Sequence, residues 1–127
     1  MRTPFDTQRG LIIVKAGIDG PSGRALLRLA LDTGATGTLV NTALVVALGY
    51  DPALSTERVQ VTTGSGVEFV PRIRLSQINA LGQGRTDFPI LCHTLPSSTG
   101  VDGLLGLDFL RGFVLTVDFQ SGFITLV

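Results

Sequence analysis

The sequence predicts an all-β domain, on three observations. Its apolar residues come in short runs of strand length. The runs are separated by turn-forming residues, and the chain holds 16 Gly and 6 Pro in 127 positions. Within the runs, side chains alternate between two faces: along Arg24–Leu31, Leu27, Leu29 and Leu31 point one way, Leu26, Arg28 and Ala30 the other. A chain of 127 residues has the length of one domain with its own core. With 44% apolar and 16% charged residues it is not disordered.

Residues 1–10 read as a loose or partly paired N-terminal arm, ahead of a domain over 11–127. Leu11–Ile18 and Arg24–Leu31 are strands joined through Asp19-Gly20-Pro21-Ser22-Gly23, and the second runs into Asp32-Thr33-Gly34. Asn41–Leu48 is the best helix, with Asn41 as N-cap, Gly49 at C′ and Pro52 forbidding continuation. Between Arg58 and Leu75 two strands flank a glycine-rich tip at Thr63-Gly64-Ser65-Gly66. Further strands lie near Leu75–Leu81 and Thr86–His93, joined at Gly82-Gln83-Gly84. Asp102-Gly103 reads as a turn, Leu107–Arg111 as a short helix ending at Gly112, and Phe113–Phe119 and Phe123–Val127 as closing strands.

Charge and composition remove several function classes. Ten basic residues (nine Arg and Lys15) balance ten acidic ones and are scattered singly, so nucleic acid and anionic membranes are not expected partners. The longest apolar run, Ala43–Leu48, is far short of a membrane span. A soluble, cytoplasmic protein is expected, with excision from a larger or anchored precursor left open. Cys92 and His93 are the only Cys and His, which leaves no disulfide and no multi-ligand metal site; no cofactor is expected. Adjacent on a strand, the two point to opposite faces and make a poor Cys-His nucleophile.

Leu29-Ala30-Leu31-Asp32-Thr33-Gly34-Ala35 ends an apolar strand with a carboxylate, a hydroxyl and a glycine. Alone this is ordinary turn chemistry. Its company sharpens it: a glycine-tipped hairpin follows, and then Asp102-Gly103-Leu104-Leu105-Gly106-Leu107-Asp108-Phe109-Leu110. In that order, over residues 11–127, the three elements resemble the retropepsin-like aspartic proteases, in their single-lobed, often bacterial branch.

The resemblance implies a closed acid-protease barrel with one or two short helices, active as a homodimer. Only one Asp-Thr-Gly occurs here, so the second catalytic carboxylate would come from another copy. Asp32 is then the catalytic residue. Thr33 would hydrogen-bond across the dimer, Gly34 would let its N–H approach the carboxylate, and Ala35 would border substrate. Thr63, Gly64, Ser65 and Gly66 would form a flap over an extended peptide bound as an added strand. Leu104, Leu105 and Gly106 would form a dry floor beneath the site, and the strand Phe123–Val127, with or without the N-terminal arm, would build a sheet between subunits. The implied activity is endopeptidase cleavage between largely apolar residues.

Two positions depart from the retroviral pattern. Leu107 stands where those enzymes carry an arginine that braces the dimer, and Thr36-Gly37 follow the Asp-Thr-Gly-Ala segment where an acidic residue is common. Asp108 has Arg111 as its local ion-pair option. Cys92 is expected to be buried and His93 to lie at the surface or a strand end. The alternative from another class is a non-catalytic peptide-binding or dimerisation module on the same fold. A carboxylate-pair glycosidase has little support, with no second acidic motif and Tyr50 the only Tyr.

Overall fold

The computed structural model describes residues 1–127, the side chain of Thr63 excepted. Hydrophobic alternation builds the first hairpin: β2 (Ile13–Gly20) and β3 (Gly23–Leu31) pair antiparallel, burying Val14, Ala16, Ile18, Leu27 and Leu29 on one face. β4 (Leu39–Val40) leads into α1 (Thr42–Ala47), and β5 (Arg58–Thr63) turns into the long β6 (Gly66–Ala80). β7 (Gln83–Cys92), β8 (Gly103–Leu105), α2 (Leu107–Leu110), β9 (Leu115–Asp118) and β10 (Phe123–Leu126) complete the chain, and β1 is the short Thr3–Pro4.

Seven strands follow the order β2-β3-β8-β4-β7-β6-β5, and β6 also pairs with β2. That extra pairing closes six of them into a barrel, with β5 projecting as one arm of a hairpin. The core fills the interior with Leu29, Leu75, Ile78, Leu105 and Phe109, all fully buried. The remaining sheet, β1-β10-β9, caps one end.

The N-terminal arm is partly paired: Thr3 and Pro4 lie opposite Ile124 and Phe123, the Phe5 N–H donates to the Gly122 carbonyl, and the Phe5 ring meets Phe119 edge-on. At Phe123 and Ile124 both edges of β10 are therefore taken within the chain, by β1 and β9. There the terminal strand offers no free edge to a second subunit.

Gly49 (φ +95°) stops α1 by the expected route. The N–H of Tyr50 reaches the Val45 carbonyl and that of Gly49 the Val46 carbonyl, which satisfies carbonyls the helix itself leaves unpaired. Asn41 occupies the N-cap position but makes no capping bond; its Oδ1 accepts from the Leu95 N–H instead. The break expected near Leu75 is also absent. β6 runs on because it changes partner, from β5 up to Pro71 to β7 from Arg72 onward. Pro71, which has no N–H, sits at that handover. The β6–β7 connection is a two-residue turn at Leu81-Gly82, both with positive φ, so β7 begins three residues earlier than expected.

Asp102 is not a turn residue. Its N–H donates to the Arg28 carbonyl, its carboxylate accepts from the Arg28 N–H, and its carbonyl accepts from Asn41, while Gly103 already belongs to β8. No helix among the described residues is long and apolar enough to cross a membrane.

Candidate active site

β3 delivers Asp32 to the end of the barrel, and β8 fixes it there. The two strands run parallel with Leu31 opposite Leu105, and the Asp32 N–H donates to the Leu105 carbonyl (3.0 Å). The Gly34 N–H donates to Asp32 Oδ1 at 2.9 Å, while the Ala35 N–H closes the turn on the Asp32 carbonyl. A Cβ on Gly34 would stand 3.1 Å from that same Oδ1, so glycine allows the approach. The Asp32 side chain is half-buried; Thr33 and Gly34 are exposed, and Ala35 is half-buried.

The segment after Asp32 is threaded over β8. The Leu107 N–H donates to the Ala35 carbonyl (2.8 Å) and the Asp108 N–H to Thr36 (3.3 Å). Gly106 passes so close below that a Cβ would come within 2.8 Å of Gly37 and 2.9 Å of the Ala35 carbonyl, both backbone. A Cβ on Gly103 would overlap the Leu39 carbonyl. Leu105 is fully buried in the core beneath Asp32, whereas Leu104 alternates to the other face and is half-buried.

Sequence reasoning missed the group that locks this crossing. Thr38 is wholly buried, and its hydroxyl donates to Asp108 Oδ1 (2.7 Å) while accepting from the Gly106 N–H (3.1 Å). Its own N–H lies 3.0 Å from both Asp108 oxygens. Asp108 is thus held by Thr38, seventy positions away in sequence, and not through the local Arg111 option. A carboxylate just after Leu-Leu-Gly, inside an apolar run, was the available signal. Asp102 is likewise occupied by Arg28. Neither of these two acids offers Asp32 a partner carboxylate.

The expected tip is a two-residue turn: Thr63 pairs with Gly66, and Gly64 and Ser65 span between them. Gly66 takes φ +125°; the side chain of Thr63 lies outside the described residues. A cleft of about 500 Å³ separates this hairpin from the segment after β7, with Leu39, Val61, Glu68, His93 and Leu95 in its walls. Its wall residue Leu39 belongs to β4 and pairs with Leu104 of β8. His93 Nε2 stands 3.5 Å from Glu68 Oε2, bringing the outer half of the hairpin to the strand end. Cys92 is buried, and burial pushes its thiol up to about 11, which suits a core residue and not a thiolate nucleophile.

A glycine-backed carboxylate at the end of a barrel strand, crossed from below by a Leu-Leu-Gly strand, is the architecture of a single-lobed aspartic protease. The chain belongs to the aspartyl protease family, whose model matches residues 14–109. In three dimensions it is similar to a retropepsin-like aspartic protease from Rickettsia conorii, with a TM-score of 0.74 over 99% of this chain and 88% of that one. At 16% identity that likeness shows the retropepsin-like fold. Comparison with curated proteins finds no match.

Proposed function

We propose that the protein is an aspartic endopeptidase completed by a second copy of itself, with Asp32 from each subunit forming the catalytic pair. The observation that carries this reading is the isolation of Asp32. Its turn is built and braced as an active-site loop, yet Asp108 and Asp102 are committed to Thr38 and Arg28. One carboxylate cannot act as base and acid at once. The exposed Thr33-Gly34 turn leaves room for a symmetric partner, whose Thr33 would hydrogen-bond across the two-fold axis.

Two carboxylates brought together share one proton, the behaviour established for aspartic-protease dyads. The ionised member removes a proton from a water held between them as the water attacks the scissile carbonyl, and the protonated member hydrogen-bonds the carbonyl oxygen. Transfer of that second proton to the carbonyl oxygen gives a gem-diol, which collapses as the first carboxyl passes the water's proton to the leaving amine and the second recovers one from a gem-diol hydroxyl. The Gly34 N–H holds the Asp32 carboxylate in place, and the fully buried Leu105 keeps the floor dry. The Gly64–Gly66 tip would fold over an extended peptide and pair with its backbone, excluding water during the attack.

The test is cleavage of an unfolded protein from about pH 3 to about pH 7, with wild type and Asp32→Asn at low and high concentration. The expected result is an activity that is abolished by Asp32→Asn, blocked by a pepstatin-like inhibitor, and steeper than linear in enzyme concentration. Full activity in Asp32→Asn would overturn the mechanism. Strictly linear activity of a monomer would overturn the shared site. Dimers that bind peptide without cutting it would replace this reading with that of a binding module.

A further inference from the structure

On the outer face of the β2–β3 hairpin, the register sets Lys15 directly opposite Arg28. Both are exposed, and among the described residues neither side chain has an ion-pair partner. Like charges opposite each other on a sheet destabilise it. The neighbouring cations are matched: Arg9 lies 3.5 Å from Asp6, and Arg24 lies 2.5 Å from Asp19. The hairpin therefore keeps one adjacent pair of positive side chains that make no ion pair of their own, with Asp6 in the same hollow and the Asp102 carboxylate on the Arg28 N–H.

That pair sits in a groove. A hollow of about 350 Å³ opens between the N-terminal arm and the hairpin, with Phe5, Ile13, Lys15 and Arg28 in its wall. A second, of about 550 Å³, continues past Lys15 over Gly17 and Leu26. Gly17 leaves a dent, since a Cβ there would meet nothing within 4 Å, and Leu26 opposite it is 67% exposed. β3 carries β8 only at Leu29–Leu31, so its hairpin half is a sheet edge.

We propose that this groove binds an acidic polypeptide segment in extended conformation. One carboxylate would sit between Lys15 and Arg28, and an apolar side chain two residues away would cover Leu26 and the dent at Gly17. The spacing is the argument for a peptide. Arg28 and Leu26 alternate on one strand, about 7 Å apart, the repeat of alternate residues in any extended chain. Two free cations flanked by Asp6 and Asp19 are too few to follow a nucleic-acid backbone or hold an anionic membrane. None of the residues of the Asp32 turn or the hairpin tip takes part.

Fluorescence anisotropy tests it with a labelled Glu-Thr-Leu-Thr-Glu peptide, on wild-type protein saturated with a pepstatin-like inhibitor. Under those conditions the cleft is closed to the probe, and the result does not depend on catalysis. The Lys15→Glu/Arg28→Glu variant should bind roughly tenfold more weakly. The Gln-Thr-Leu-Thr-Gln peptide should lose about as much, and salt near 0.5 M should weaken the acidic peptide further. Equal binding by the neutral peptide or by the double variant overturns the proposal, as does binding seen only without the inhibitor. Lys15→Glu alone converts the like-charge pair to an attractive one, so its melting temperature should rise by about 2 °C while affinity falls. A lowered melting temperature would contradict the repulsion on which the site rests.

Discussion

Thr38 holds three segments together with one hydroxyl, bonding Asp108 in α2 and Gly106 at the end of β8 from its own place after the Asp32 turn. Because it is fully buried, Thr38→Val keeps the volume but leaves the Gly106 N–H without its acceptor and removes one of the three donors to Asp108 Oδ1. Urea denaturation should show a loss of about 2 kcal/mol. Cys92 makes a second prediction, in alkali. Its folded thiol ionises near 11, above the ordinary value of about 8.5, so the unfolded chain gives up its proton first. Stability is then lost as pH rises from about 8.5 to about 11, by up to about 3 kcal/mol. Cys92→Ala, less stable at pH 7 through its cavity, should close on wild type across that window in parallel melts. At this scale the sequence was a good guide where a residue's chemistry is local. Gly34 beside the Asp32 carboxylate and Gly49 beyond α1 follow from what a Cβ would obstruct or strain. The Thr38–Asp108 pair does not, because it exists only once the chain has crossed itself.

Among the elements, the hairpin tip separates two glycines with different reasons to be there. A Cβ on Gly64 would meet nothing within 4 Å, whereas Gly66 has φ +125°, where side chains are strained. Gly64→Ala should therefore leave thermal stability within about 0.5 kcal/mol. If the tip closes over substrate, the same change should lower kcat/KM several-fold. Gly66→Ala should instead cost about 1 kcal/mol or more in the same melts. Element types were largely legible: hairpins, α1 and α2 stand where turn residues and apolar runs put them. Their extents were not. β6 outruns its expected end because a strand that exchanges β5 for β7 never leaves the sheet, and a list of apolar runs carries no record of partners. Leu81 takes a left-handed conformation that leucine disfavours, held by burial of its side chain at 5% exposure.

For the whole molecule, the sheet edges decide what a second subunit can use. The resemblance pointed to Phe123–Val127, with or without the N-terminal arm, as a shared sheet; within the chain the arm joins that strand through β1, and β1 and β9 together flank it at Phe123 and Ile124. Which edge is taken is a property of the closed molecule and could not be read from strand propensity. The closed barrel itself was legible only through the order of its three motifs, since no single run of residues encodes closure.

The continuity of β6 also has a mechanical meaning. From Arg72 to Ala80 it is clamped against β7, with β2 adding a second grip from Gln77. From Gly66 to Pro71 its only strand partner is β5, with one side-chain contact, Glu68 to His93, beyond the hairpin. It is a cantilever with its root in the barrel wall and its tip over the cleft. Bending concentrates just beyond the clamp, near Pro71, so the tip can lift while every pairing that closes the barrel stays intact. Opening of the tip and unfolding of the protein are then separate events with separate barriers.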